Sequence, residues 1–412
     1  MNENRFPAVM AAAAHGRVLA DNAAGSQLPD TALERMQRYL AYDNAQRGAI
    51  FARTIATEEI VQEAKAEFAA LVNVPCAQVG IGQNGTSIAM AFSRLLASVI
   101  QRGDRIVVTA ADHEANVAPW IWLRRFGAQV DVVPVDEYGD LDESKFKAFL
   151  DRGPLLVALP WASNATGTVF DVARLAGLAK AARALVVVDG VQAFPHFALE
   201  IGEAIDFAFF SAYKIYGPHM GFWYASQAVL ERFVHADDSH VPGGDARYWT
   251  LECGTQSFEA LAGWLGTMAY LRDLAAMPRL ALELIARYEF DLAAYVRTKF
   301  AERAPQVRLY GHPPDVARLP VFSFNVADMP TDELAARFEV AKIEARAGDY
   351  YAPRLMQRLA PEAEGRAVRL SFSHYNSYAE VDRCFDVIDS ALGRSGGEGE
   401  LEIEVNAEAI HG

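Results

Sequence analysis

Four segments of the chain place side chains able to do chemistry directly after apolar, β-branched runs. Asp189 closes the run ALVVVD, and Gln192 follows three positions later. Ser211, Tyr213 and Lys214 follow DFAFF, and Asn164 lies just beyond PLLVALP in the sequence SNATG. The loop GIGQNG (Gly80–Gly85) runs into Thr86 and Ser87 at the head of a helical pattern. In an α/β sheet these positions fall at the carboxyl ends of strands, where ligands bind. Their types suit a division of labour. A lysine amine removed from water is a nucleophile toward a carbonyl. A buried aspartate can keep a heterocyclic nitrogen protonated. Backbone N–H groups and hydroxyls at a helix N-terminus, with the helix dipole behind them, cradle a phosphate.

Taken singly, each is ordinary, since loop lysines are usually only solvated. Order and spacing make the set specific. A Schiff-base lysine, a carboxylate for the ring nitrogen and a phosphate cradle are what pyridoxal 5'-phosphate requires, because the protonated ring then serves as an electron sink. The glycine loop has a competing reading. GIGQNG matches the G-x-G-x-x-G fingerprint of dinucleotide-binding folds, with Asp112 as the ribose acid, so an NAD-dependent dehydrogenase is the alternative from another class. Against it, the preceding strand AQVGI is short, and Asp112 lies beyond the usual span of about 20 residues.

The elements that must position these residues read as alternating helices and buried strands. Thr57–Asn73 is expected as a helix opened by a Thr57 cap with glutamates in its first turn, and with Ile60, Ala64, Phe68 and Leu71 on its apolar face. Ser87–Gln101, Glu143–Leu150 and Val172–Arg183 are further helices. Strands are expected at Asp104–Ala110, Gln129–Val135, Pro154–Pro160, Ala184–Gly190, Asp206–Ser211 and Met220–Ser226. Runs without polar alternation indicate strands covered on both faces, as in a mostly parallel sheet. After residue 256 the texture changes to long helices, Phe258–Ala276 and Leu280–Glu302. Beyond them come strands Val307–Tyr310, Pro320–Val326 and Ala367–Ser373, with helices Thr331–Val340 and Tyr378–Leu392. The expected class is α/β, a large domain plus a smaller α+β unit, with the boundary near residue 280.

Composition narrows the classes. With 53 acidic and 38 basic residues the net charge is −15, which opposes a nucleic-acid surface. A hydrophobic content of 52% supports a sizeable core. Three cysteines, Cys76, Cys253 and Cys384, are too scattered for a disulfide framework or a zinc site, so no metal is expected. The first residues lack the pattern of a secretion signal, and no apolar run approaches the roughly 18 residues of a membrane span. The expectation is a soluble cytoplasmic protein without nucleic-acid or membrane partners.

Further segments add to the set: DNAAGSQLP (Asp21–Pro29), NGTS, DHEANVAPW (Asp112–Trp120), SNATGT, VDGVQ and SAYKIYGP. ECGT (Glu252–Thr255), ARAGDYYA (Ala345–Ala352) and RLSFSHYNSYAEVDR (Arg369–Arg383) complete it. On these motifs, which extend over nearly the whole chain, the sequence resembles the class V aminotransferase family of fold-type I pyridoxal-phosphate enzymes, in its cysteine desulfurase-like branch. The resemblance implies an N-terminal segment, 1–25, packed with the small domain. It further implies a large cofactor-binding domain over 26–280, a small C-terminal domain over 281–394, and an acidic tail over 395–412. It implies that Lys214 carries the cofactor as a Schiff base and moves the substrate Cα proton. Asp189 would pair with the ring nitrogen, and Gln192 would sit near the phenolic oxygen. Gly85, Thr86, Ser87 and Ser211 would hold the phosphate, with Tyr213 standing where desulfurases carry a histidine. Thr255 would reach the partner subunit's phosphate across a homodimer interface. Asn164 and Arg369 would bind the amino-acid α-carboxylate, a task that suits the planar guanidinium fork.

Two departures from the branch bear on the reaction. Tyr351 stands where desulfurases carry the mobile-loop cysteine that forms a persulfide. Cys384 reads as core, Cys76 as a turn residue, and Cys253 adjoins Thr255. Glu114 stands where the branch places a ring-stacking histidine. It is expected to lie over the cofactor and shuttle a proton, or else to bond locally while His113 turns inward. The expected function is Cα deprotonation of a small α-amino acid with an aminotransferase-like outcome, and not persulfide-forming desulfuration. A C–S or C–Se β-lyase is the alternative within the class.

Overall fold

Strands buried on both faces dominate the first half of the chain, as the unalternating apolar runs require. In the computed structural model, which describes residues 3–234, 250–252, 254–313, 316 and 318–394, thirteen strands form three sheets. The expected acidic tail and Cys253 lie outside the described residues. β1 (Val18–Leu19) comes first. Next are β2 (Val79–Gly82), β3 (Arg105–Thr109), β4 (Gln129–Val133) and β5 (Leu156–Pro160). β6 (Leu185–Asp189), β7 (Phe207–Ser211) and β8 (Gly221–Ala225) complete the strands of the large sheet. Its order is β2-β8-β7-β6-β5-β3-β4. From β7 to β4 every pairing is parallel, and β8 alone runs against its neighbours.

Side chains alternate across this sheet with period two, so one strand feeds two cores. Phe207 and Phe209 point to a core with Phe92, Trp120 and Trp223. Ala208 and Phe210 point to the opposite one, with Phe68 and Trp264. The second half builds an antiparallel sheet from β9 (Val307–Tyr310), β10 (Val321–Val326), β12 (Arg346–Gly348) and β13 (Ala367–Ser371). Phe300, Phe322, Phe324, Phe385 and Cys384 fill its core. β1 pairs in parallel with β11 (Ile343–Glu344), so the N-terminal segment contacts the second unit.

Most expected elements recur with shifted ends. The two long helices run Phe258–Leu274 and Pro278–Ala301, with Pro278 in the first turn of the second, where its missing N–H is no loss. The expected helix cap at Thr57 is corrected. That helix starts at Ala52, Thr57 is interior and buried, and its Oγ1 donates to the Arg53 carbonyl. Ile60 is half-buried while Val61 joins Ala64, Phe68 and Leu71 inside. Helices Pro7–Ala14, Asp30–Arg38, Gln227–Phe233 and Pro353–Leu359 were not anticipated.

Helix Pro278–Ala301 serves both units. Ala281, Leu282 and Ile285 join the core beside the large sheet. Leu292, Ala293, Val296 and Phe300 join the core of the small one. The passage between cores falls inside a helix, beyond the boundary expected near residue 280.

Candidate active site

The ends of β6 and β7 bring several of the candidate residues close together. Asp189 is the last residue of β6 and Ser211 the last of β7, and Lys214 follows on a single 3₁₀ turn, Ala212–Lys214. Asn84 caps helix Gly85–Ala97, its side chain accepting from the Ser87 N–H at 2.9 Å and the Ser87 hydroxyl at 3.0 Å. Ser211 Oγ accepts from the Gly85 N–H at 2.9 Å, joining β7 to the glycine loop. A Cβ on Gly85 would come to 3.0 Å from the Phe209 and Val191 side chains, so any larger residue would press those neighbours aside. Thr86 is exposed at the same helix end.

Two adjoining cavities open here. One of about 890 Å³ is lined by Asn84, Thr86, Ser87, Arg94, Tyr213, His219 and Glu252. The other, about 680 Å³, shares Thr86, Met90 and Tyr213 with it and continues past His113, Glu114, Asn164 and Lys214 to Arg346, Tyr350, Tyr351 and Arg369. Arg94 and His219 were missed by the sequence reading. His219 lies in YGPH beside Lys214, and its ring stacks on Tyr213 at 5.2 Å.

Lys214 is buried and donates to the Ala23 carbonyl. Burial, then the positive charge of Arg369, lowers its pKa from 10.5 to about 7. Asp189 moves the other way, up to about 7. Burial outweighs both its 2.9 Å bond from the Val191 N–H and the attraction of Lys214. Burial likewise raises the Tyr213 phenol.

Arg369 is 1% exposed. Its Nη2 pairs with Asp21 at 2.8 Å, its Nη1 donates to the Asn164 carbonyl at 2.9 Å, and its guanidinium lies 4.6 Å over the Tyr350 ring. Arg346 shares Asp21 at 2.7 Å, so one carboxylate faces two guanidinium groups. Asn164 Nδ2 donates to the Tyr350 carbonyl at 2.8 Å.

Glu114 lines the second cavity, but its carboxylate forms an ion pair with Arg354 and its N–H donates to the Tyr351 carbonyl at 2.7 Å. His113 is the ring turned toward the site. Its Nδ1 accepts from the Ala115 N–H at 3.0 Å, which leaves the hydrogen on Nε2. Burial and the cations Lys214 and Arg369 lower its pKa to about 4, so it is neutral. Thr255 is exposed on the loop before helix Phe258–Leu274 and lines neither cavity.

Three buried polar atoms in this neighbourhood have no partner: Asn164 Oδ1, Gln192 Oε1 and Arg369 Nε. Leaving such an atom unpaired costs about 1–3 kcal/mol, which a polar ligand would recover. With the buried Lys214 and Asp189 and a helix N-terminus at the cavity wall, these atoms fit pyridoxal phosphate. The dinucleotide reading does not fit. β2 is an edge strand antiparallel to β8. Asp112 is 1% exposed, its carboxylate held by Thr109 at 2.5 Å and Asn116 at 2.7 Å.

Fold and site together define a fold-type I pyridoxal-phosphate enzyme. The aminotransferase class-V family model matches residues 18–384, and the chain belongs to that family. It is 32% identical over 372 residues to a "Probable cysteine desulfurase" of Mycolicibacterium paratuberculosis, covering 88% of this chain and 53% of the relative. The chain thus spans about half the length of that protein. It is 28% identical over 389 residues to the aminotransferase-like protein FGM3 of Gibberella zeae, covering 91% of this chain and 95% of the other. A cysteine desulfurase from Thermococcus onnurineus NA1, solved in its apo form, shares the fold with a TM-score of 0.85 at 24% identity, covering 95% and 97% of the two chains. The Escherichia coli cysteine desulfurase CsdA gives 0.81 at 25% identity, covering 95% and 97%. The protein is a pyridoxal-phosphate enzyme of the transaminase or lyase type. Among the described residues no helix is long and apolar enough to cross a membrane.

Proposed function

We propose that this enzyme removes the Cα proton of a small α-amino acid, with an aminotransferase-like outcome and without a protein-bound persulfide. The observation that carries the reading is the wall formed by Asp349–Tyr351. No cysteine lines the second cavity among the described residues. Tyr351, where the resemblance places the persulfide cysteine, sits on a pinned segment. Tyr350 and Tyr351 both adopt left-handed backbone, with φ of 57° and 58°. Their carbonyls accept from Asn164 and the Glu114 N–H, and the Glu114–Arg354 pair closes the same seam. Strain of this kind persists where surrounding contacts over-determine the conformation. A fixed wall is unsuited to a thiol carrier that must travel. Cys384 is fully buried, its thiol pushed up by burial, and Cys76 is exposed on a turn outside both cavities.

When bound, the cofactor supplies an electron sink for the charge left at Cα. Lys214, its pKa lowered to about 7 so that a substantial share of the amine is unprotonated near neutrality, takes and returns the Cα proton. Asp189 becomes a full carboxylate beside the cationic ring nitrogen. Arg369 holds the substrate α-carboxylate, with its Nε and the Asn164 side chain facing a group that displaces part of the Asp21 contact. Gly85, Thr86, Ser87 and Ser211 hold the phosphate, with Tyr213 packed beside Lys214. Thr255, exposed in one subunit, completes the phosphate site of a second copy in a homodimer. A C–S or C–Se β-lyase is the second reading, favoured by the desulfurase names among the relatives. Incubating the loaded enzyme with L-cysteine and measuring intact mass tests the proposal. Unmodified protein is expected, and a sulfur adduct accompanied by alanine would overturn it.

A further inference from the structure

Gln192, His196 and Glu289 form a buried polar line that the chemistry above leaves unused. Gln192 Nε2 lies 3.3 Å from His196 Nε2. His196 Nδ1 lies 2.6 Å from Glu289 Oε2. Glu289 Oε1 accepts from Ser373 Oγ at 3.3 Å. Their exposures are 5%, 6% and 2%. Glu289 occupies helix Pro278–Ala301 between Ile285 and Leu292, where the helix passes from one core to the other. An apolar side chain there would serve packing without the desolvation penalty of a carboxylate. Gln192 Oε1 has no partner, so one end of the amide is committed to His196 and the other is left unpaired.

A carboxylate only accepts, so the His196 nitrogen facing Glu289 keeps its hydrogen. Neutral His196 then offers a bare Nε2, which takes an N–H from Gln192. Doubly protonated His196 offers Nε2–H, which takes the amide oxygen and turns the NH₂ group the other way. We propose that His196 and Glu289 are positioning residues that set which end of the Gln192 amide faces the ring oxygen of pyridoxal phosphate. This rests on the reading of Gln192 as the neighbour of that oxygen. An N–H stabilises the ionised ring oxygen, and a carbonyl stabilises its protonated form. The other titratable groups around the pair are Tyr216, Tyr270, Tyr375 and His374. Burial keeps the three phenols neutral and lowers His374 to about 3, and it raises the Glu289 carboxyl against the opposing pull of His196.

The test compares pyridoxal-phosphate-loaded wild type, Glu289→Gln, Gln192→Ala and the double variant. In each, the ratio of the protonated and ionised cofactor bands is read across pH, beside the melting temperature of the apo form. Glu289→Gln is expected to change the ratio by about threefold or more, and the same substitution in Gln192→Ala to change nothing. An unchanged ratio in folded Glu289→Gln, or a change that persists without Gln192, overturns the inference even if melting temperatures fall. Should Glu289→Gln fail to fold, His196→Gln replaces it in the same cycle with the same criteria. Wild type that takes up no cofactor at Lys214 overturns the site reading and the inference with it.

Discussion

At the scale of residues, the site is built from groups held away from their ordinary protonation states. Lys214 at about 7 is a neutral amine at a pH where an exposed lysine is almost wholly cationic. The rate at which apoenzyme captures pyridoxal phosphate should therefore rise with pH up to about 7 and then level off, followed by stopped-flow absorbance. A rate still climbing toward pH 10 would mean Lys214 is not shifted. Lys214→Ala should bind the cofactor reversibly, leaving no borohydride-fixed adduct by mass. Glu114 separates two roles. As a latch paired with Arg354, both side chains being about one-third exposed (30% and 31%), it contributes less than about 1 kcal/mol. Glu114→Gln should then leave the pH profile of kcat unchanged and lower stability in urea only slightly. Loss of one limb of that profile would identify the proton shuttle instead.

At the scale of elements, the sequence was most legible where physics is local. β5, β7 and β8 are buried at every position, and unalternating apolar runs announce that. Asp189, Ser211 and Lys214 were legible because strand ends fix them. Thr57 misled because a threonine before a glutamate reads as a cap, whereas tertiary packing extended the helix five residues earlier. The Gln192–His196–Glu289 line was invisible because His196 and Glu289 are 93 residues apart and meet only by packing. The Glu114–Arg354 pair, 240 residues apart, was hidden for the same reason. Gly80 shows how tightly β2 is seated. A Cβ there would lie 1.9 Å from the Trp223 ring and 2.7 Å from Glu252, which also holds Lys65 at 2.5 Å. Gly80→Ala should destabilise by about 1–3 kcal/mol or more, measured by urea unfolding. Ser377→Ala should remove the capping box of helix Tyr378–Ala391 at about 1 kcal/mol.

At the scale of the whole molecule, the site draws on both units. Asn164 and Lys214 come from the large-sheet side, and Arg346, Tyr350 and Arg369 from the small-sheet side. Helix Pro278–Ala301 spans their two cores, so its seating sets their relation. Leu40, Tyr42, Ile50, Phe51 and Ile55 are exposed apolar side chains in the N-terminal part of the chain. In the proposed homodimer, Thr255→Ala should weaken cofactor retention on dialysis without changing the apo melting temperature. Unaltered retention would remove Thr255 from the phosphate site.

The most direct measurement is to mix the loaded enzyme with a panel of small α-amino acids in D₂O, following absorbance and analysing products. Expected is deuterium at Cα of at least one amino acid, with conversion of the cofactor to its amine form and release of the matching keto acid, all abolished in Lys214→Ala. Turnover confined to L-cysteine, yielding alanine and a persulfide on the protein, would contradict the proposed function.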